Sequence, residues 1–163
     1  MTDDQGYGDA SCNGNSVLKT PNLDRLHREG VRFEDFQVSP TCSPTRSSIL
    51  SGKHEFKNGV THTIHERERL SPKTTTIAQV LKSAGYTTGI FGKWHPGDED
   101  PRQPQNRDFD EVFIHGAGGI GQAYPGSCGD APNNSYFSPV IRPKCGVGKT
   151  SRYCTDGSFG QAR

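Results

Sequence analysis

Thr76-Ile77-Ala78-Gln79-Val80-Leu81-Lys82-Ser83-Ala84-Gly85 runs directly into Tyr86-Thr87-Thr88-Gly89-Ile90-Phe91. In the first half Ile77, Val80, Leu81 and Ala84 fall on one helical face and Gly85 suits the stop, which predicts a helix over about 76–84. The second half is rich in β-branched and aromatic residues and predicts a strand over 86–91; Glu111–His115 predicts another short one. Upstream, Thr20 can cap a helix that opens on Pro21 and stops at Gly30. Residues 31–38 then read as a strand, and Ser43-Pro44 repeats the cap-plus-proline signal, predicting a helix over about 44–50 that Gly52 stops. Residues 1–19 are polar and Gly-rich and read as loop. Helices alternating with strands predict an α/β domain with a mainly parallel sheet flanked by helices. Such sheets carry their sites at the carboxyl ends of strands, and Cys42, between a strand and a helix, falls at that kind of position.

Composition narrows the function classes. Leu, Ile, Val and Phe make up only 29 of 163 residues, a thin supply for a core. Gly and Pro together make 31, so the chain is rich in loops, and from His115 onward the periodicity fades. A net charge of +1 leaves no nucleic-acid footprint. No apolar run approaches a membrane span, and Met1-Thr2-Asp3-Asp4 opens no signal peptide. Five cysteines (Cys12, Cys42, Cys128, Cys145 and Cys154) leave at least one unpaired within the chain, and no CxxC pair occurs. Cys128, Cys145 and Cys154 share the loop-rich tail and could form a disulfide, with the pairing open.

Several motifs fail on context. Gly116-Ala117-Gly118-Gly119-Ile120-Gly121 matches GxGxxG, but Pro125 and Gly126 follow where a dinucleotide site needs a helix. Gly148-Lys149-Thr150 resembles the end of a P-loop whose first glycine would be Pro143. His62 and His65 lack a nearby thiol or carboxylate set and read as ordinary polar residues. Asn133-Asn134-Ser135 is a glycosylation acceptor only in a secreted chain.

Cys42-Ser43-Pro44-Thr45-Arg46 stands up better. With Ser43 as cap, Arg46 lies in the first helical turn, the unfavourable end for a cation. An anion would resolve the conflict, because free amides, a guanidinium and the side chain at position 42 could converge on one tetrahedral oxyanion. Taken alone, the pattern favours a buried cysteine beside an exposed arginine.

The neighbouring residues decide. CSPTR with Ser47-Ser48-Ile49-Leu50-Ser51-Gly52 resembles the sulfatase signature C-x-P-S-R-x-x-x-L-T-G, with hydroxyl-conserving swaps at Thr45 and Ser51. Gly85-Tyr86-Thr87-Thr88-Gly89-Ile90-Phe91-Gly92-Lys93-Trp94-His95 resembles the family's second signature. Thr2-Asp3-Asp4-Gln5-Gly6-Tyr7-Gly8-Asp9 is similar to its first metal-binding loop, and Thr20-Pro21-Asn22-Leu23-Asp24 to the helix that follows. The chain thus resembles the formylglycine-dependent (type I) sulfatases of the alkaline-phosphatase-like superfamily, well over about 2–115 and loosely over 116–163.

The resemblance implies a partial alkaline-phosphatase-like α/β sandwich, truncated at both ends, with 1–115 as the N-terminal part of the catalytic domain and 116–163 as its incomplete continuation. It implies a sulfuric ester hydrolase acting on sulfate esters, with sulfated carbohydrates expected. A formylglycine-generating or radical maturase enzyme would oxidise Cys42 to formylglycine. One hydroxyl of the hydrated aldehyde would attack sulfur and displace the alcohol, leaving a sulfated enzyme, and loss of the second hydroxyl's proton would expel sulfate and restore the aldehyde, a release that an unmodified thiol cannot make. By the same resemblance Arg46 holds the modified residue and its metal-site surroundings, Lys93 pairs with sulfate oxygens, and His95 contacts the diol or substrate and moves a proton. Asp3, Asp4 and the modified Cys42 would bind Ca²⁺, with the family's remaining ligands further downstream than Arg163. A full-length parent would be periplasmic or secreted. Two alternatives remain: a phosphate or phosphonate ester hydrolase of the same superfamily, and a non-catalytic remnant. Truncation implies marginal stability of the isolated chain and a poorly ordered tail.

Overall fold

The computed structural model describes residues 1–64 and 66–119 with their side chains, and residues 140–143 and 148–149 as backbone. The expectations for the order of the tail, for a disulfide among Cys128, Cys145 and Cys154, for the acceptor at Asn133 and for the sets containing His65, Ile120 or Thr150 lie outside the described residues. Cys12 and Cys42 are free thiols. The backbone forms two compact units, Met1–Val38 and Ser39–Arg163.

The first unit is built on a polar staple. Two 3₁₀ turns, Tyr7–Asp9 and Ser11–Asn13, precede helix α1 (Pro21–Glu29). Thr20 precedes Pro21 as expected but does not cap it. Its hydroxyl accepts from the Ser11 amide at 2.9 Å and donates to Asp24 Oδ1 at 3.1 Å. The Asp24 carboxylate also accepts from Ser11 Oγ at 2.7 Å and from the Cys12 amide at 2.8 Å. The Ser11 hydroxyl is the main reason that Asp24 titrates below the usual carboxylate range. The loop is therefore tied to the first turn of α1 by hydrogen bonds rather than by apolar packing.

Residues 31–38 are not the expected strand; a turn at Glu34-Asp35 interrupts them. β-branched and aromatic composition makes a strand only where a neighbour completes the ladder, and no described residue pairs with this segment. Phe33 and Phe36 instead meet across the turn at 6.3 Å, and Arg32 pairs with Glu34 at 3.1 Å.

In the second unit α2 (Cys42–Ser51), α3 (Glu55–Asn58) and α4 (Ile77–Ser83) precede β1 (Gly89–Lys93) and β2 (Glu111–His115), with β3 (Val140–Pro143) and β4 (Gly148–Lys149) completing the sheet. The strand order is β1-β2-β3-β4. β1 and β2 are parallel, running from Gly89 opposite Glu111 to Lys93 opposite His115. β3 and β4 add antiparallel pairs. The mixed α/β architecture, with a parallel pair flanked by helices, is the expected class.

The core consists of Ala78, Trp94, Phe109, Val112 and Ile114, with Leu50 and Ile90 packed against it. Trp94, 1% exposed, meets Phe109 edge-on at 5.9 Å and donates its indole N–H to the Gly97 carbonyl at 2.9 Å. Helix α4 differs from expectation in its inward face. Ala78 is buried, whereas Ile77, Val80 and Leu81 are exposed. The two large rings occupy the space beneath α4, so its smallest apolar side chain seats closest. Its start agrees with the sequence reading: Thr76 and Gln79 form a reciprocal capping box.

An acidic clamp aligns the parallel pair. Asp110 accepts from the Thr88 amide at 3.0 Å, from Thr88 Oγ1 at 3.1 Å and from Lys82 Nζ at 2.6 Å, joining the end of α4 to the starts of β1 and β2. The Lys82 ammonium, followed by the Thr88 amide, lowers the Asp110 pKa to about 2. A depressed carboxylate stabilises the fold above its unfolded pKa, and that contribution is lost as pH falls through the folded value. Asp110→Asn therefore lowers the unfolding midpoint most near neutrality, and its gap from wild type closes between about pH 4 and pH 2; thermal melts across that range measure it. Trp94→Ala removes the largest core side chain and costs about 3–5 kcal/mol by denaturant titration; a loss below about 1 kcal/mol would contradict the core assignment.

Candidate active site

Helix α2 begins one turn-signal earlier than the sequence reading, at Cys42. Thr41 is the extended residue before it and makes no side-chain cap. Ser43 is not a cap either: it is fully buried inside the helix and donates its hydroxyl to the Glu68 carbonyl at 3.0 Å. Ser43, Pro44 and Ser47 form the inward face of α2, and their small size lets the helix pack closely. The Asn58 amide holds that face by donating to Ser47 Oγ at 3.0 Å and to the Lys53 carbonyl at 3.1 Å. Thr45 donates to the Ser39 carbonyl at 2.9 Å, which fixes the entry to the helix.

With Cys42 as the first helical residue, Arg46 falls in the second turn rather than the first. Its Nη1 donates to the Lys93 carbonyl at 2.7 Å and so fastens α2 to the last residue of β1. Lys93 is half-buried and stands opposite His115 at the carboxyl end of the parallel pair.

Past Lys93 the chain turns sharply. His95 has φ 78, a left-handed conformation uncommon for a non-glycine residue, and only 3% of it is exposed. Its Nε2 lies 3.1 Å from the Thr63 carbonyl. A carbonyl can only accept, so Nε2 carries the hydrogen. Gly97 closes the turn at φ 115, where a Cβ would come within 2.8 Å of the Arg102 side chain. The Gly97 amide donates to the His95 carbonyl at 2.7 Å, and the Leu70 amide to the Pro96 carbonyl at 3.1 Å.

Cys42 and His95, 53 positions apart in the chain, line one cleft of about 340 Å³ together with Thr63, Glu68, Asp98 and Glu99. Arg46 and Lys93 are not among the lining residues; they are joined to each other by the hydrogen bond from the Arg46 guanidinium to the Lys93 carbonyl. Asp3 and Asp4 belong to the first unit, on an exposed bend where Asp4 has φ 54. Two carboxylates provide at most four oxygens, fewer than the about six to eight that Ca²⁺ takes. Among the described residues no group of three or more His, Cys, Asp or Glu side chains converges to hold a metal. Asp3 and Asp4 thus have donor chemistry that suits Ca²⁺ but are too few to hold it by themselves. Glu68, which lines the cleft, and His115, opposite Lys93, lie in none of the motifs read from the sequence.

Comparison with known proteins identifies the family. The Sulfatase family model matches residues 1–157. Arylsulfatase G of Canis lupus familiaris is 40% identical over 139 residues, covering 83% of this chain and 25% of that protein. N-acetylgalactosamine-6-sulfatase of Mus musculus is 38% identical over 124 residues, covering 69% and 24%. Among solved structures, Ps i-CgsB superposes with a TM-score of 0.79 at 26% identity, covering 98% of this chain and 38% of that one. BT4656, solved in complex with its substrate D-glucosamine-2-N,6-O-disulfate, superposes with a TM-score of 0.75 at 29% identity, covering 99% and 29%. The chain spans about a quarter of the length of the curated relatives it matches. With the family matched over nearly its whole length and the two signature segments meeting at one cleft, the chain belongs to the sulfatase family, the type I branch of the alkaline-phosphatase-like superfamily.

Proposed function

We propose that this chain carries the nucleophile-bearing part of a sulfuric ester hydrolase acting on sulfated carbohydrates, with formylglycine made from Cys42 by a formylglycine-generating or radical maturase enzyme. The observation that carries this reading is the shared cleft of Cys42, the first residue of α2, and His95, in the turn after β1. The substrate class is supported by a relative named for an N-acetylgalactosamine 6-sulfate and by a neighbour solved with a disulfated glucosamine. Residues 1–115 are read as the N-terminal part of the catalytic domain.

The hydrated aldehyde supplies an oxygen nucleophile together with a second hydroxyl that permits sulfate release, chemistry that the thiol lacks. The remaining work falls to this chain's own side chains. His95, with Nε2 committed to Thr63, is suited to move a proton through Nδ1 at the nucleophile or the departing alcohol. Arg46 and Lys93 bring two cations to the sulfate oxygens beside the amides that open α2. Asp3 and Asp4 would give carboxylate oxygens to Ca²⁺. No helix among the described residues is long and apolar enough to cross a membrane.

Co-expression with a maturing enzyme, followed by the mass of the tryptic peptide Phe33 to Arg46, reads the first step. The expected mass has aldehyde in place of thiol. An intact thiol would support the reading as a non-catalytic remnant. In the matured protein, His95→Ala lowers kcat on 4-nitrophenyl sulfate by about 10²–10⁴-fold, and an unchanged kcat would remove His95 from proton movement. Faster turnover of a phosphonate ester than of the sulfate would shift the reaction class to the phosphate and phosphonate branch.

A further inference from the structure

The cleft holds a charged group that the proposed chemistry does not use. Glu68 is only 4% exposed, yet it lines the cleft beside Cys42 and His95. Its Oε2 is buried and finds no hydrogen-bond partner among the described residues. A buried carboxylate oxygen without a donor is costly and is retained where something else satisfies it.

The position of this carboxylate is set from both sides. The Glu68 carbonyl accepts from Ser43, the residue after Cys42, and the Leu70 amide donates to Pro96, the residue after His95. Residues 68–70 are thereby stitched between the two elements that carry Cys42 and His95. The neighbouring cation does not serve Glu68: Arg69 is engaged with Glu66 at 3.0 Å and with Glu99 at 2.7 Å. Of the cleft's other acidic residues, Glu99 is paired with Arg69 and, at 3.0 Å, with Arg102. The Glu68 carboxylate disfavours the sulfate group itself. What it fits is a donor on the part of the ester that departs.

We infer that Glu68 is a specificity-determining residue that accepts a hydrogen bond from a hydroxyl of the alcohol moiety of the sulfate ester. The inference rests on the sulfatase reading of the same cleft. It gives the enzyme a way to prefer polyhydroxylated sulfates over plain aryl sulfates, because a buried acceptor left unpaired by the wrong substrate penalises that substrate.

The test compares kcat/KM for a panel of hexose monosulfates with kcat/KM for 4-nitrophenyl sulfate, in the matured wild type and in Glu68→Ala and Glu68→Gln. The ratio of the two constants is independent of the fraction of protein that folds or matures. The expected result is a fall of about ten- to a hundredfold in that ratio for Glu68→Ala. Glu68→Gln, which keeps the shape and one carbonyl acceptor, falls less. A ratio within about twofold of wild type in both variants overturns the inference, as does a wild type that turns over the aryl sulfate and no hexose sulfate. Both of those outcomes leave the sulfatase reading standing. A matured wild type that turns over neither substrate removes that reading, and this one with it.

Discussion

The hydrogen bond from the Arg46 guanidinium to the Lys93 carbonyl is the contact on which the geometry of the second unit depends. It joins residues 47 apart in the chain and brings the start of α2 to the end of β1. A charged donor to a backbone carbonyl is stronger than a neutral one, and this one is half-buried, where competition from water is reduced. Everything proposed for the site follows from that juxtaposition. Cys42 lies one turn before Arg46 on the same helix, and His95 lies two residues beyond Lys93. The two signature segments are separate in sequence because each supplies one side of this joint.

The electrostatics of the cleft divide along the same joint. In the proposed reading, Arg46, Lys93 and the opening amides of α2 form the end that takes the anion. The loop side carries Glu68, Asp98 and Glu99. A sulfate ester has the same polarity along its length, with a compact anion at one end and a neutral alcohol rich in donors at the other when that alcohol is a sugar. A cleft with acceptors on one wall orients such a substrate by repulsion as well as attraction.

Much of the fold was legible wherever local chemistry decides. The capping box of Thr76 and Gln79, Pro21 opening α1, and Gly52 stopping α2 act within a few residues and are readable without tertiary structure. Strand β2 was readable as Glu111–His115 because its composition agrees with its pairing. The misreadings share a cause. Residues 31–38 have strand composition, but a strand is a relation between two segments, and no described neighbour completes it. The face of α4 was misjudged because periodicity ranks Ile77, Val80 and Leu81 above Ala78, whereas the rings of Trp94 and Phe109 leave room for the small residue. Ser43 looked like a cap, yet its hydroxyl is drawn to the Glu68 carbonyl 25 residues away. The motif segments announced Cys42, Arg46, Lys93 and His95. Glu68 was invisible because its significance lies in burial and in an unmatched oxygen.

His95 shows how the fold sustains an unfavourable local state at the place where chemistry is proposed. A left-handed backbone at a histidine costs about 1–3 kcal/mol and persists only where its surroundings over-determine it. Here three constraints converge on one turn. The buried Trp94 anchors the preceding residue and reaches across to the Gly97 carbonyl. The Gly97 amide closes back onto the His95 carbonyl, in a conformation and at a proximity to Arg102 that exclude a larger residue. The imidazole is then locked by Thr63. Burial of Trp94 and closure of the turn together offset the strain, so the histidine is held in place before any substrate arrives. The tryptophan in the Lys93-Trp94-His95 segment is therefore not an inert spacer between two polar residues. It is the apolar weight that lets its neighbour adopt a conformation that neighbour would otherwise leave.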